Sequence, residues 1–134
     1  LRKHGPQLGL PAMSLEKING LYEKILSSIG ACTRAGVKLG LGADLLGHDF
    51  HSFQGAELSL RGEVNAAVDV LRSATSINAE ILQMSGELGC IKQGAYADIL
   101  VVNGNPLEDL ALFKEAEKNI PVVMKGGKFI RNTL

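Results

Sequence analysis

The stretch GVKLGLGADLLG, residues 36–47, places one carboxylate, Asp44, between glycines at the end of a short apolar run. Residues 37–43 are apolar and bounded by glycines, which is typical of a buried strand in a parallel sheet. In front of this run, apolar side chains recur at steps of three and four residues from Ile18 to Ile29, which predicts an amphipathic helix. A helix that leads into a buried strand is half of an α/β unit, so the sequence predicts an α/β fold.

Asp44 has three interpretations on local grounds. A phosphate-binding loop is disfavoured, because Gly47 comes two residues too late for the pattern G-x-G-x-x-G and His48 replaces the lysine of a Walker loop. An ordinary turn or helix cap is common for an aspartate after a strand. The third is a functional carboxylate. Active-site residues of parallel sheets lie at the C-terminal ends of the strands, where an acid can bind a metal or transfer a proton. The local sequence leaves the last two interpretations open.

The remaining periodicity predicts several elements. The first helix is expected at about 14–35, with Ser14 as its N-cap and Gly36 as its C-cap. Residues 45–56 resemble a loop, and Asn65 is a candidate N-cap for the second of three later helices. Those helices are predicted near residues 57–63, 66–74 and 76–84.

After Gly86 the composition becomes rich in β-forming residues, and three or four strands are expected. The pair Gly126-Gly127 lies between two short β-prone runs, which predicts a hairpin with a two-residue turn. The tail is therefore predicted to be β-rich, whereas the front of the chain is α/β.

The composition excludes several classes of function. The chain has 134 residues, of which 46% are hydrophobic and 21% charged, and its 14 basic and 14 acidic side chains cancel. A nucleic-acid or anionic-membrane binder would carry a basic excess, so neither partner is expected. No apolar run approaches the roughly 18 to 20 residues that cross a bilayer. Cys32 and Cys90 form neither a disulfide framework nor a metal knuckle, so a reducing cytoplasm is the expected location.

Five blocks in order carry a resemblance to a known family: AGVKLGLGADLLG, HSFQGAEL, VLRSATSINAEILQM, LGCIKQGAYADILVVNGNPLEDL and VVMKGGKFI. Together they resemble the C-terminal part of the metal-dependent amidohydrolase superfamily, and most of all its imidazolonepropionase-like and Xaa-Pro dipeptidase (prolidase-like) branch. The resemblance implies the last βα portion of a (β/α)8 TIM barrel, followed by the C-terminal strands of a small β-sandwich. Residues 1–86 would belong to the barrel and residues 87–134 to the sandwich.

The same resemblance implies a chemistry. Members of the family hold one or two divalent metals, usually zinc, and hydrolyse C–N bonds with a metal-activated water. Asp44 would be a metal ligand that also takes a proton from this water and passes it to the leaving amine. The implied substrate is a peptide-like amide, such as an Xaa-Pro dipeptide or an N-acyl amino acid. His51 and Gln54 follow Asp44 in a loop and are candidates for substrate contact, although a solvated loop histidine explains His51 equally well.

The sequence also departs from the family pattern. The His-x-His pair of the first strand, the carboxylated lysine or glutamate in mid-barrel and the histidines of the fifth and sixth strands have no counterpart here. A catalytic zinc site uses about three protein ligands, and a whole barrel needs roughly 250 residues. We therefore expect a C-terminal segment that is inactive alone and that packs against a missing N-terminal barrel portion or forms a homo-oligomer. The alternative is a non-catalytic structural or interaction fragment.

Overall fold

The computed structural model describes residues 11–45 and 48–134, in two compact units, Leu1–Val37 and Lys38–Leu134. The first unit contains helix α1, Ala12–Arg34. The second begins with an extended segment and a 3₁₀ helix, His48–Phe53, and continues with helices and a small antiparallel sheet. Its α-helices are α2 (Ala56–Arg61), α3 (Ala67–Ala74), α4 (Ser76–Ile81) and α5 (Ala116–Asn119), and a second 3₁₀ helix, Leu110–Glu115, precedes α5.

Helix α1 confirms the predicted amphipathic helix but begins earlier than expected. Pro11 is extended and its carbonyl accepts from the N–H of Ser14, so Ser14 lies inside the first turn and its predicted role as the N-cap is wrong. The C-terminal prediction is confirmed, because Gly36 has a φ of 73°. The N–H groups of Gly36 and Val37 donate to the carbonyls of Thr33 and Cys32, which is the Schellman arrangement that a glycine at this position allows.

The three later helices are also confirmed, each one to three residues shorter than predicted. Helix α3 is preceded by Ala66 and has no side-chain cap, so the prediction that Asn65 caps it is wrong. Val70 on α3 is 1% exposed. It packs into a core that the helices share with the segment before the last two strands, whose buried members are Leu58, Val70, Leu110, Phe113 and Ile120.

The predicted strand at residues 37–43 does not form. Residues 38–45 are assigned to no strand, and the backbone of Leu41 bonds instead to the side chain of Asn78 and the carbonyl of Ser73. A strand is defined by pairing with a neighbour, and in the described part of the chain no strand lies beside this segment. The loop predicted for residues 45–56 contains the 3₁₀ helix His48–Phe53.

The sheet has three antiparallel strands in the order β1-β2-β3, which confirms the expected number. They are β1 (Ile99–Val101), β2 (Val122–Lys125) and β3 (Lys128–Asn132). Gly126 and Gly127 form the predicted two-residue turn with φ angles of 54° and 79°, the left-handed pair that tight hairpins favour. The Asp98 carboxylate accepts from the Gly126 N–H at 2.7 Å and fixes this turn to the start of β1.

The larger architecture stays a prediction. Helices and a small sheet agree with the expected mixed α and β composition. The complete barrel, the sandwich and the domain boundary at residue 86 are not tested by this chain. None of the helices in residues 11–45 and 48–134 is long and apolar enough to cross a membrane.

Candidate active site

The residues predicted from the sequence to act on substrate lie around one cavity. Its volume is about 220 Å³, and its walls come from two short segments separated in the chain by two residues that the structure does not describe. One wall is the C-terminal end of the extended segment, and the other comes from the 3₁₀ helix and the residue that follows it. The lining residues are Ala43, Asp44, Leu45, His51 and Gln54.

Asp44 occupies this cavity in an uncommon backbone conformation. Its φ is 41°, in the left-handed region where aspartate is several-fold more frequent than most residues but still rare. Such conformations persist when the surrounding structure fixes them, and they cluster at functional sites. The side chain is exposed, so its carboxylate oxygens are accessible to a solute that enters the cavity.

His51 and Gln54 reach the same cavity because the 3₁₀ helix turns the chain back beside Asp44. The N–H of Gln54 donates to the carbonyl of His51 at 3.3 Å, which closes the last turn. Both side chains are exposed. An imidazole and a primary amide together offer donors and acceptors on the wall next to a carboxylate.

Two side chains hold the segment that ends at Asp44, and the sequence analysis missed both. The Asn78 amide exchanges two hydrogen bonds with the backbone of Leu41, of 3.1 Å and 2.9 Å. The Arg61 guanidinium donates to the carbonyl of Gly40 at 2.6 Å. The sequence did contain one indication of the role of Asn78. Asparagine is a poor helix former, so its presence inside α4 suggests that its side chain bonds elsewhere.

Arg61 is itself held by Glu57 one turn earlier on α2. The shortest distance between their charged groups is 2.9 Å, and the two side chains are only 12% and 16% exposed. Glu57 Oε2 is buried and accepts no hydrogen bond from any residue that the structure describes, so the charge of Arg61 compensates this carboxylate. Arg61 therefore connects α2 to the Gly40 carbonyl as a largely buried ion pair.

The donor set suits one ligand of a divalent cation rather than a whole site. Carboxylate oxygen is a ligand for zinc and for harder cations, and Asp44 presents it to an open cavity. In the part of the chain that the structure describes, no group of three or more His, Cys, Asp or Glu side chains could hold a metal. A metal at this cavity would need further ligands beyond Asp44.

A comparison with known families decides which family the chain belongs to. The profile of the amidohydrolase family matches residues 1–130, nearly the whole sequence. This chain is a member of the amidohydrolase family. The match confirms the resemblance drawn from the ordered sequence blocks.

This amidohydrolase chain is also similar to solved structures and to a characterised enzyme. The crystal structure of an amidohydrolase aligns with 100% of this chain, with 42% identity and a TM-score of 0.86. The crystal structure of a prolidase complexed with N-methylphosphonate-L-proline aligns with 99% of this chain, with 40% identity and a TM-score of 0.85. Ochratoxinase from Aspergillus niger is 25% identical over 92% of the chain. The chain spans 32% of each of those two structures and 25% of ochratoxinase.

Proposed function

We propose that this amidohydrolase chain forms part of an enzyme that hydrolyses the C–N bond of a small peptide-like amide. The observation that carries the proposal is the shared cavity of Asp44, His51 and Gln54 in a chain that matches the amidohydrolase family. An Xaa-Pro dipeptide or an N-acyl amino acid is the proposed substrate class. Its support is the similar prolidase structure that holds N-methylphosphonate-L-proline.

In this proposal Asp44 has two roles, which its two carboxylate oxygens can share. One oxygen is a ligand to a divalent metal, for which we propose zinc. A divalent metal, when bound, polarises a carbonyl and lowers the pKa of water to about 7. The other oxygen of Asp44 accepts a proton from the attacking water and passes it to the amine nitrogen as the C–N bond breaks.

His51 and Gln54 are proposed to contact the substrate. Both line the same cavity as Asp44, and their ring nitrogens and amide can pair with the carbonyl or carboxylate groups of a dipeptide. Neither residue is assigned a proton-transfer step. Their loss is therefore expected to raise KM more than it lowers kcat.

The test is an Asp44→Asn variant of the intact enzyme, assayed for hydrolysis of Xaa-Pro dipeptides and for bound metal. Asparagine keeps the size of the side chain but cannot accept the proton, so kcat should fall by about 100-fold or more. Asp69→Asn is the matched control, because Asp69 pairs with Arg72 on the exposed side of α3 and should leave turnover unchanged. Near-normal turnover of Asp44→Asn with its metal retained would remove Asp44 from the mechanism.

A second candidate function is that the chain alone is a non-catalytic module that packs against the rest of a larger fold or against another copy. The sheet favours it, because β1 and β3 are edge strands and large apolar side chains on them are open to solvent, namely Leu100, Phe129 and Ile130 at 51%, 58% and 70% exposure. Exposed edges of this kind pair readily with another chain. Zinc titration of the isolated 134-residue chain distinguishes the two, since tight stoichiometric binding with amidase activity would contradict this second candidate.

A further inference from the structure

The Asn78 side chain bonds to both backbone groups of Leu41. Leu41 N–H donates to Asn78 Oδ1 at 3.1 Å, and Asn78 Nδ2 donates to the Leu41 carbonyl at 2.9 Å. Two residues that face each other in an antiparallel pair exchange both bonds in the same way. A primary amide carries the same donor and acceptor as a peptide group, so Asn78 bonds both backbone groups of Leu41. The carbonyl of Ser73 is a second acceptor for the Leu41 N–H, at 3.2 Å.

The approach of Asn78 depends on the glycine before Leu41. A Cβ atom added to Gly40 would lie 2.8 Å from Cδ1 of Ile81 and closer still to Oδ1 of Asn78. Either contact is shorter than real Cβ atoms show. The absence of a side chain at residue 40 therefore allows α4 to place the Asn78 amide against the extended segment.

A second side chain fixes the adjacent peptide group. Arg61 Nη2 donates to the carbonyl of Gly40 at 2.6 Å, and Glu57 holds the guanidinium in place. Two consecutive residues of the extended segment, Gly40 and Leu41, are thus bonded by side chains from two different helices. Their backbone can neither rotate nor shift without breaking partly buried hydrogen bonds, each of which is costly to leave unmade.

Asp44 follows this fixed point by three residues, about 10 Å of extended chain. The direction of the segment towards Asp44 is set in part by the bonds at Gly40 and Leu41, which include the bond from the Leu41 N–H to the carbonyl of Ser73. Asn78 itself does not line the cavity that contains Asp44. It can therefore influence the carboxylate only through the backbone.

From this geometry we infer that Asn78 is a positioning residue for Asp44: its amide, admitted by Gly40, fixes the backbone that presents the carboxylate to the cavity. The inference rests on the proposed function, because it assumes that the placement of Asp44 matters for metal binding and turnover. It assigns no contact between Asn78 and substrate or metal.

The experiment compares Asn78→Ala with Asn119→Ala in the intact enzyme. Asn119 is a matched control, since its Nδ2 also donates to a backbone carbonyl, that of Leu112, at 3.0 Å, and it does not line the cavity. Zn²⁺ affinity is measured by competition with a chelator, and kcat and KM are measured separately. Loss of a residue that orients a metal ligand typically lowers metal affinity or activity by about 10-fold or more. Asn78→Ala should therefore weaken Zn²⁺ binding and lower kcat by about 10-fold, with KM nearly unchanged, whereas Asn119→Ala should alter neither.

Gly40→Ala gives a second route to the same result if Asn78→Ala folds poorly. The added methyl should displace the Asn78 amide and reproduce the loss of Zn²⁺ affinity. Once Asn78 is already alanine, Gly40→Ala should add little, because its remaining obstacle is Cδ1 of Ile81, the end of a flexible side chain, and the shared contact with Asn78 is already lost. Additive losses in this cycle would overturn the inference.

Asp44→Asn separates this inference from the proposed function. If Asp44→Asn keeps its metal and its turnover, the proposed function fails whatever Asn78→Ala does. If Asp44→Asn is inactive and Asn78→Ala matches Asn119→Ala in Zn²⁺ affinity and kcat, only the positioning role is overturned.

Discussion

Gly55 is the position where one added methyl group should disturb the second unit most clearly. It precedes α2, and its φ of −67° and ψ of −13° suit any residue, so alanine would cause no backbone strain. A Cβ atom there would lie 2.6 Å from the carbonyl carbon of Phe113 and nearer still to its oxygen. The obstacle is main chain and not the end of a flexible side chain, so it cannot rotate away.

The size of the effect follows from that distance. Carbon atoms pack best at about 3.5–4.0 Å, so the Phe113 backbone must move by about 1 Å or more. Overpacking of this kind costs about 1–3 kcal/mol, and the lower entropy of an unfolded chain with alanine returns about 0.4–1 kcal/mol. We therefore expect Gly55→Ala to lower the free energy of unfolding by about 1–2 kcal/mol.

Gly42→Ala is the control in urea denaturation followed by circular dichroism. Among the described residues nothing lies within 4 Å of a Cβ atom at Gly42, and its φ is not in the left-handed region. Its stability should be unchanged or higher by about 0.4–1 kcal/mol. Equal stability of the two variants would refute the argument that α2 and the backbone of Phe113 meet at a distance only glycine permits.

Two further predictions concern polar contacts. Arg61→Met should destabilise the protein by about 3 kcal/mol, because it leaves the mostly buried Glu57 without its counter-charge and the Gly40 carbonyl without its donor. The double variant Glu57→Leu/Arg61→Met should be less destabilised than Arg61→Met alone in the same urea titration, and a larger loss would contradict this reading of the pair. Asp98→Ala should cost about 1 kcal/mol, since the Gly126 N–H of the hairpin turn loses its acceptor. Amide exchange at Gly126 should accelerate while that of Val70 changes only with global stability, and unchanged exchange at Gly126 would count against a role for Asp98 in the turn.

Some features of this protein were determined by short stretches of sequence. The stripe from Ile18 to Ile29 specified α1, Gly36 specified its C-terminus, and Gly126-Gly127 specified the hairpin turn. In each case the cause is local: helical spacing places apolar side chains on one face, and only glycine adopts a positive φ without cost. The sequence also grouped the candidate site residues, because few positions separate Asp44, His51 and Gln54. The structure places these three around one cavity.

Other features depended on residues distant in the chain. The apolar run at residues 37–43 predicted a strand, but a strand also requires a neighbour, and the described chain supplies the side chain of Asn78 in its place. Ser14 and Asn65 were suitable caps by residue type, yet the helices begin after Pro11 and Ala66. The contacts that hold Gly40 and Leu41 join residues 21 and 37 positions apart. Sequence periodicity cannot predict these contacts, because they form only when packing brings α2 and α4 to the same segment. Tertiary packing therefore decided how the backbone before Asp44 is held.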